Sequence, residues 1–486
     1  MKQFEFGFCS PEEVGIPTQN INSFLQKLRD KKVCMHSMLM IHNGKIFFEE
    51  YAPSYTKDSL QRIYSVSKSY TALAVGMLAD DKLISLDDKI VDYFPDMADE
   101  NCHPYIKDTT IRELLMMTGP FGTTKGFNRN DPAWTANYFK KIPDYPSGTL
   151  FCYDTSGTRV LTALVERIAK KPYIEYLKDK GLRELGFSEN SWCIKTPDGF
   201  SHGGSGLMST LRDMAIFGTL LMGKGEVNGK RYISEKFITD AVSPLTFNDI
   251  DYVPIRTHKG YGYQIWCMEN GFALKGMGSQ QVICVPEKDF IFCCTGDTQG
   301  DRIHYEALYD YLFFDIIDKI SPVKACENKL TLDYEALDGK KYIPLQDKVN
   351  NITYKLNENK MGISELTLSF EKEESKLILE TPRGKKEIKF AMGEYIESTF
   401  PETHYSGEVL TVPVNREYRC RACGAWVSDN QILIRSYIID DYLGNLTITI
   451  GFKGNKIGLK MVKNAEFFLE EYEGCAGGEA KQPVKL

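Results

Sequence analysis

Ser65 and Lys68 stand three residues apart in Ile63-Tyr64-Ser65-Val66-Ser67-Lys68-Ser69-Tyr70, which runs into the apolar stretch at residues 71–78. The stretch reads as a helix, and positions i and i+3 share a helix face. The spacing therefore sets a hydroxyl beside an amine. A serine hydroxyl attacks carbonyl carbon only when a neighbouring base takes its proton. A lysine serves as that base where burial or a nearby cation lowers its pKa from about 10.4. The helix N-terminus also favours negative charge developing at Ser65. Taken alone, the four residues read first as a serine N-cap followed by a solvated lysine. The other reactive candidates are weaker. Cys420-Arg421-Ala422-Cys423 is a lone C-x-x-C, with no second pair at zinc spacing and no thioredoxin-like helix after it. The histidines are scattered, and no H-E-x-x-H helix occurs.

The elements around this pair can be read in order. Residues 11–31 carry Ile21, Phe24, Leu25 and Leu28 at helical spacing. Residues 35–41 and 45–51 flank Asn43-Gly44, a strong local hairpin signal. Residues 109–118 predict a helix opened by a threonine cap. Residues 120–148 are rich in proline and glycine, and such a long loop serves as a substrate-facing rim or as a structural connector. Residues 151–158 lead into a helix over 160–170. His202-Gly203-Gly204-Ser205-Gly206 precedes a helix over 211–222, and its glycines suit a tight structural turn. A strand region opens at 261–266. Residues 282–285 and 290–294, joined by Pro286-Glu287-Lys288-Asp289, form a second hairpin, and a helix over 304–319 closes the unit.

Several of these segments, in the same order, resemble the serine β-lactamase and penicillin-binding-protein superfamily. They are most similar to its β-lactamase-related hydrolase branch of class C β-lactamases, D-aminopeptidases, family VIII esterases and 6-aminohexanoate-dimer hydrolases. The matching residues are Tyr64 to Ala72, Gly76-Met77-Leu78, Leu83 to Asp88, Tyr93-Phe94-Pro95, Thr109 to Thr118, Tyr153-Asp154-Thr155 and His202 to Thr210. The resemblance covers roughly residues 10–320. It implies an α+β fold (an α/β sandwich) in which one antiparallel sheet is flanked by helices. It also implies catalysis through an acyl-enzyme, with Ser65 as nucleophile and Lys68 and Tyr153 sharing general-base work. The Lys68 ammonium would lower the tyrosine pKa from near 10. Thr155 stands where asparagine or serine is common, which keeps a hydroxyl and loses an amide. The third motif, K-T-G or H-x-G, is altered. Its best match is Leu274-Lys275-Gly276, with the cation displaced by one residue and so turned to the other face of a strand. Gly276 is retained, and the Met277 N–H is placed to complete an oxyanion hole with the Ser65 N–H. Ser428-Asp429-Asn430 copies the S-D-N of class A β-lactamases but lies far behind the other motifs, and it reads as a turn.

The implied activity is hydrolysis of an amide or ester in a small-molecule substrate: a D-amino-acid peptide, an ω-amino-acid oligomer, a short ester or a β-lactam-like compound. No metal and no cofactor is needed. A transferase would use the same acyl-enzyme. The rival reading is a catalytically inactive relative acting as a binding or scaffold protein; the altered third motif favours it, and the intact Ser65, Lys68 and Tyr153 oppose it. A net charge of −7 over 486 residues, with basic residues spread along the chain, gives no sign of nucleic-acid binding. No apolar run is long enough to cross a membrane, the N-terminus does not read as a signal peptide, and the 13 cysteines read as free thiols. These features set a cytoplasmic expectation. Beyond about residue 325 short alternating runs separated by turn residues suggest a β-barrel or sandwich. The expected organisation is a hydrolase domain at 1–322, a β-rich domain at 323–473 that could carry homo-oligomer contacts, and a disordered tail at 474–486.

Overall fold

The computed structural model describes residues 4–122, 132–246, 259–298, 302–319, 332–334, 337–403, 416–465 and 469–482. The chain divides into two compact units, one through Leu332 and one from Asp333 onward. The boundary expected at 322/323 falls outside the described residues.

In the first unit, α1 (Thr18–Asp30) precedes β1 (Met35–His42) and β2 (Lys45–Tyr51). The turn between the strands uses Asn43 and Gly44, both at positive φ, which matches the twist of a two-residue hairpin. Then come α2 (Ser67–Asp80), α3 (Ile111–Leu115), α4 (Thr155–Ala169) and α5 (Leu211–Met222). The strands β3 (Trp266–Met268), β4 (Gly271–Gly276), β5 (Gln280–Val285) and β6 (Phe290–Gly296) follow, and α6 (Arg302–Tyr311) comes last. β6 pairs antiparallel with β1, so the two distant hairpins join in one sheet of order β2-β1-β6-β5-β4-β3, with a two-residue strand at Gly7–Phe8 beyond β2. All eight residues of β1 are buried, as expected for a strand covered on both faces. α5 covers one face, where Gly218 lets the helix approach Val282 and Ile291. α1 covers the other, with Phe24 edge-on to Phe292.

α2 is buried at every position from Ser67 to Leu78, so it carries no polar stripe and forms the centre of the helical layer. Gly76 is required there, because a Cβ would strike the Phe237 ring. The loop-rich stretch expected at 120–148 holds a helix at Trp134–Lys140, while residues 123–131 lie outside the described part. The helix expected over 160–170 begins earlier, at Thr155, because the Asp154 carboxylate caps it by accepting from the N–H groups of Ser156 and Gly157. The helix expected over 304–319 leaves α-geometry after Tyr311 for a wider turn at Leu312–Ile316. Among the described residues no helix is long and apolar enough to cross a membrane.

The second unit is a closed barrel. Its strands are β7 (Thr353–Leu356), β8 (Glu365–Ser369), β9 (Ser375–Thr381), β10 (Gly384–Met392), β11 (Ile396–Phe400), β12 (Tyr418–Ser428), β13 (Gln431–Ile438), β14 (Asn445–Lys453), β15 (Lys456–Asn464) and β16 (Gly474–Ala480). Nine of them close in the order β10-β9-β8-β7-β16-β15-β14-β13-β12. The ring is shut by a parallel β10–β12 pairing at Ala391–Cys423, and β11 lies against β12. Alternation puts Ile432, Ile434, Leu446, Ile448, Ile450 and Leu459 inside.

The disordered tail expected at 474–486 is corrected here. Residues 474–480 form β16, hydrogen-bonded to β7 on one side and β15 on the other. The small residues that suggested disorder are what the strand needs, since a Cβ at Gly478 would strike the Lys355 carbonyl. Ser428 ends β12, and Asp429-Asn430 form the turn into β13, as the sequence suggested. Every described cysteine is a free thiol, Cys420 and Cys423 included.

Candidate active site

Ser65 lies in a single tight turn, Tyr64–Val66, directly ahead of α2. Tyr64 holds φ at +46°, a left-handed conformation that costs a non-glycine residue of order 1 kcal/mol or more. The surroundings over-determine it. Ser67 Oγ donates to the Tyr64 carbonyl at 2.5 Å and accepts from Leu207 N–H at 3.1 Å. The Arg62 guanidinium lies 4.4 Å from the Tyr64 ring centroid and is itself held by Ser205, through its carbonyl and its hydroxyl. Left-handed geometry just before the helix leaves Ser65 partly exposed while its neighbours on both sides are buried.

Lys68 is 1% exposed, which excludes the solvated-lysine alternative. Its Nζ is 2.9 Å from Ser65 Oγ and donates to the Gly204 carbonyl at 2.6 Å. It also lies 4.9 Å from the centroid of the Tyr153 ring. Tyr153, 85 residues beyond Lys68 in sequence, thus comes beside the Ser65–Lys68 pair. The Tyr153 ring stacks on Trp266 at 5.3 Å, and Trp266 packs edge-on to Tyr261. Asp154, next to Tyr153, is buried. Burial raises its carboxyl pKa, and hydrogen bonds from Ser156 and Gly157 oppose that rise.

Thr155 is the first residue of α4, and its methyl group fills the space a Cβ on Gly204 would need, at 2.6 Å. Gly276 ends β4 against the Ser65 turn, where a Cβ would strike the Ile63 carbonyl. Met277 follows in the turn from β4 to β5, 37% exposed. The turn after it is pinned by Gln280, whose side-chain amide donates to the carbonyls of Met277, Gly278 and Gly296. Lys275 is fully buried on the strand face opposite Leu274, with its Nζ over the rings of Trp266 and Tyr309, and burial holds its pKa well below the ordinary value.

Three contributors escape the sequence. The first is the Gly204 carbonyl, a partner of Lys68; its glycine-rich segment reads as a turn, and nothing local says which side chain the turn meets. The second is Trp266, which backs Tyr153 from 113 residues away. The third is Gln264, buried and at φ +58°. It donates to the carbonyls of Leu114 and Leu115 at the end of α3, accepts from Thr158 of α4, and its own carbonyl accepts from Ser69 of α2. One side chain and its backbone therefore tie together the helices that carry Lys68 and follow Tyr153. Among the described residues no cluster of three His, Cys, Asp or Glu side chains is arranged to hold a metal ion.

Comparison with known proteins follows the same outline. A family model described as Beta-lactamase matches residues 32–298. A 6-aminohexanoate-dimer hydrolase from Paenarthrobacter ureafaciens is 22% identical over 280 residues, covering 52% of this chain and 71% of that protein. Beta-lactamase-like protein 2 of Dictyostelium discoideum is 25% identical over 280 residues, covering 49% of this chain and 50% of that protein. Among solved structures, a penicillin-binding-protein homologue from Caulobacter crescentus aligns with a TM-score of 0.50 at 15% identity, over 63% of this chain and 99% of that one. SurE with D-Leu aligns with a TM-score of 0.50 at 15% identity, over 90% of this chain and 94% of that one. At such identities the solved structures speak for the fold alone.

Proposed function

This chain belongs to the Beta-lactamase family, and from that premise we propose that it is a serine hydrolase working through an acyl-enzyme on an amide or ester bond of a small substrate. The observation that carries the reading is the buried Lys68 amine 2.9 Å from the partly exposed Ser65 hydroxyl. In the proposed cycle Lys68, with Tyr153 beside it, takes the proton of Ser65 as its oxygen adds to the substrate carbonyl. The N–H groups of Ser65 and Met277 hold the oxyanion; Gly276 allows the close approach of β4 to the Ser65 turn that this needs. Tyr153 returns the proton to the departing alcohol or amine. Water then attacks the ester on Ser65, with the same groups working in reverse order.

The 6-aminohexanoate-dimer hydrolase relative supports an amide as substrate. The substrates in view are ω-amino-acid oligomers, D-amino-acid peptides and short esters. Lys275 is buried against Trp266 and Tyr309, so binding of a substrate carboxylate by this residue is not part of the proposal. The test is turnover of p-nitrophenyl acetate and of 6-aminohexanoate dimer by the wild-type protein and by Ser65→Ala. Hydrolysis lost in Ser65→Ala, with its melting temperature kept, supports the reading. Equal hydrolysis by both proteins overturns it.

A further inference from the structure

The turn from β4 to β5 is Met277-Gly278-Ser279, set between the paired residues Gly276 and Gln280. Gly278 and Ser279 hold φ at +75° and +69°. For Ser279 this is a strained conformation that the surroundings must enforce. The turn begins at the reacting serine's own turn. A Cβ on Gly276 would strike the Ile63 carbonyl, and β4 and β5 both pack on residues 64–66.

One side chain does most of the enforcing. Gln280 is 1% exposed. Its amide nitrogen donates to the carbonyls of Met277 at 3.0 Å, Gly278 at 3.1 Å and Gly296 at 2.7 Å. Its Oε1 accepts from the Gly296 N–H at 3.3 Å. Gly296 is in turn fixed to the middle of the sheet. It pairs with Met35 of β1, and the N–H of Asp297 donates to the Cys34 carbonyl at 2.9 Å. Thr298 closes the clamp from the same side. Its N–H donates to the Gly278 carbonyl at 3.4 Å, and its hydroxyl meets that of Ser279 at 2.6 Å.

A hairpin turn with glycine at a left-handed position reverses the chain without a buried amide beneath it. Burying one costs free energy unless its hydrogen bonds are made. Here they are made to the backbone on either side of Met277. Gly276 is held before Met277 and the Met277 carbonyl after it. Peptide planes are rigid, so a residue fixed on both sides has little freedom to turn its N–H.

We propose that Gln280 is a positioning residue for the oxyanion hole, its buried amide aiming the Met277 N–H at the carbonyl that Ser65 attacks. The proposal rests on the hydrolase reading and adds a residue to it. An oxyanion donor works only when aimed at the place where charge develops, so a loosened turn costs rate more than substrate binding.

The test uses p-nitrophenyl acetate and its thiono counterpart, in which sulfur replaces the carbonyl oxygen. Sulfur is larger and a weaker hydrogen-bond acceptor, so a rigid pair of N–H donors favours the oxygen ester. The ratio of the two acylation rates therefore reads the hole itself. Gln280→Met keeps the length and removes the donors. Its acylation of the oxygen ester should slow by about tenfold to a hundredfold, less than the roughly 10²–10³ lost with a deleted donor. Substrate binding should stay within about threefold, and the oxygen-to-sulfur ratio should fall by about tenfold. Gln280→Glu, whose carboxyl stays protonated in this buried place and keeps one donor, should lie between wild type and Gln280→Met. It also decides the matter if Gln280→Met does not fold. Ser37→Ala, which breaks a buried hydroxyl pair with Thr295 at 2.5 Å near the same end of β6, should lower the melting temperature and leave the ratio unchanged. Ser65-dependent turnover with an unchanged ratio in the Gln280 variants overturns the proposal alone. So does an equal fall in Ser37→Ala, which would assign the effect to general loosening. Wild-type turnover that does not depend on Ser65 overturns the hydrolase reading and the proposal with it.

Discussion

The two units treat basic side chains in opposite ways. In the hydrolase unit His36, Arg62, Lys68, Arg159, Lys178 and Lys275 are all buried. In the barrel, among the described residues, the buried polar side chains are Ser369, Ser375, Glu402, Ser436 and Asn445, with no basic group. Barrel lysines such as Lys376, Lys385 and Lys389 pair with glutamates at the surface. Burying an ammonium is costly unless its donors are satisfied. A barrel closed by its own backbone and filled with Ile and Leu has no use for that cost. The hydrolase unit buries Lys68 with a hydroxyl and a carbonyl as its partners, and in the proposed cycle its amine is the base. The contrast separates a core built for stability from one that gives up some stability for a reactive group.

The sharpest way to break this comparison is to neutralise one lysine of each kind. Lys68→Met should lower kcat/KM by about a thousandfold or more, the scale of losing a positioned base. Its melting temperature should hold or rise, because a buried amine has given way to an apolar side chain. Lys385→Met, which removes an exposed pair with Glu387 at 2.9 Å, should leave the unfolding midpoint unchanged. A Lys68→Met protein that keeps full activity would make the buried amine structural. Next in size, Tyr153→Phe should slow acylation by about a hundredfold or more in stopped-flow assays, with the Trp266 stack intact. Unchanged acylation would leave Lys68 as the base alone.

Gln264→Met keeps the volume but removes the donor to the carbonyls of Leu114 and Leu115 and the acceptor for Thr158. Chemical denaturation should show a loss of about 2–4 kcal/mol, since several buried groups lose their partners together. An unaffected midpoint would mean that the helices around the site do not depend on this residue.

A further effect is read against pH. His36 is buried against Tyr55 and accepts from Gln61, and desolvation lowers its pKa from 6.5 to about 3. The unfolded chain therefore binds a proton between pH 6.5 and 3 that the folded chain refuses. Stability is full above pH 6.5 and falls as pH drops through that window, by at most about 1.4 kcal/mol per pH unit. His36→Gln should flatten this part of a melting-temperature-against-pH curve, and a curve as steep as the wild type's would assign the acid loss to other groups.

How much could be read in advance followed the range of the interactions. The Asn43-Gly44 hairpin and the threonine cap of α3 are local, so residue type and spacing were enough, whereas the Ser65–Lys68 spacing alone suited a solvated lysine and stood out only with the resemblance. The pairing of β1 with β6, the Gly204 carbonyl under Lys68 and the four-way ties of Gln264 depend on segments that meet only in the fold; the resemblance indicated the first and was silent on the others. Residues 474–480 misled because glycine and polar residues suit a frayed end and a tightly packed closing strand equally. The Lys275 shift was legible from strand alternation, and the residue lies on the face opposite Leu274, over Trp266 and Tyr309.

The central claim is that Ser65 is a nucleophile activated by the buried amine beside it. Intact-protein mass spectrometry after exposure to a fluorophosphonate tests it most directly, with wild type and Ser65→Ala treated side by side. The account expects one phosphonyl adduct on the wild type, mapped to the peptide containing Ser65, and none on Ser65→Ala. An adduct of equal yield on both proteins, or hydrolysis that proceeds while Ser65 stays unmodified, would contradict it.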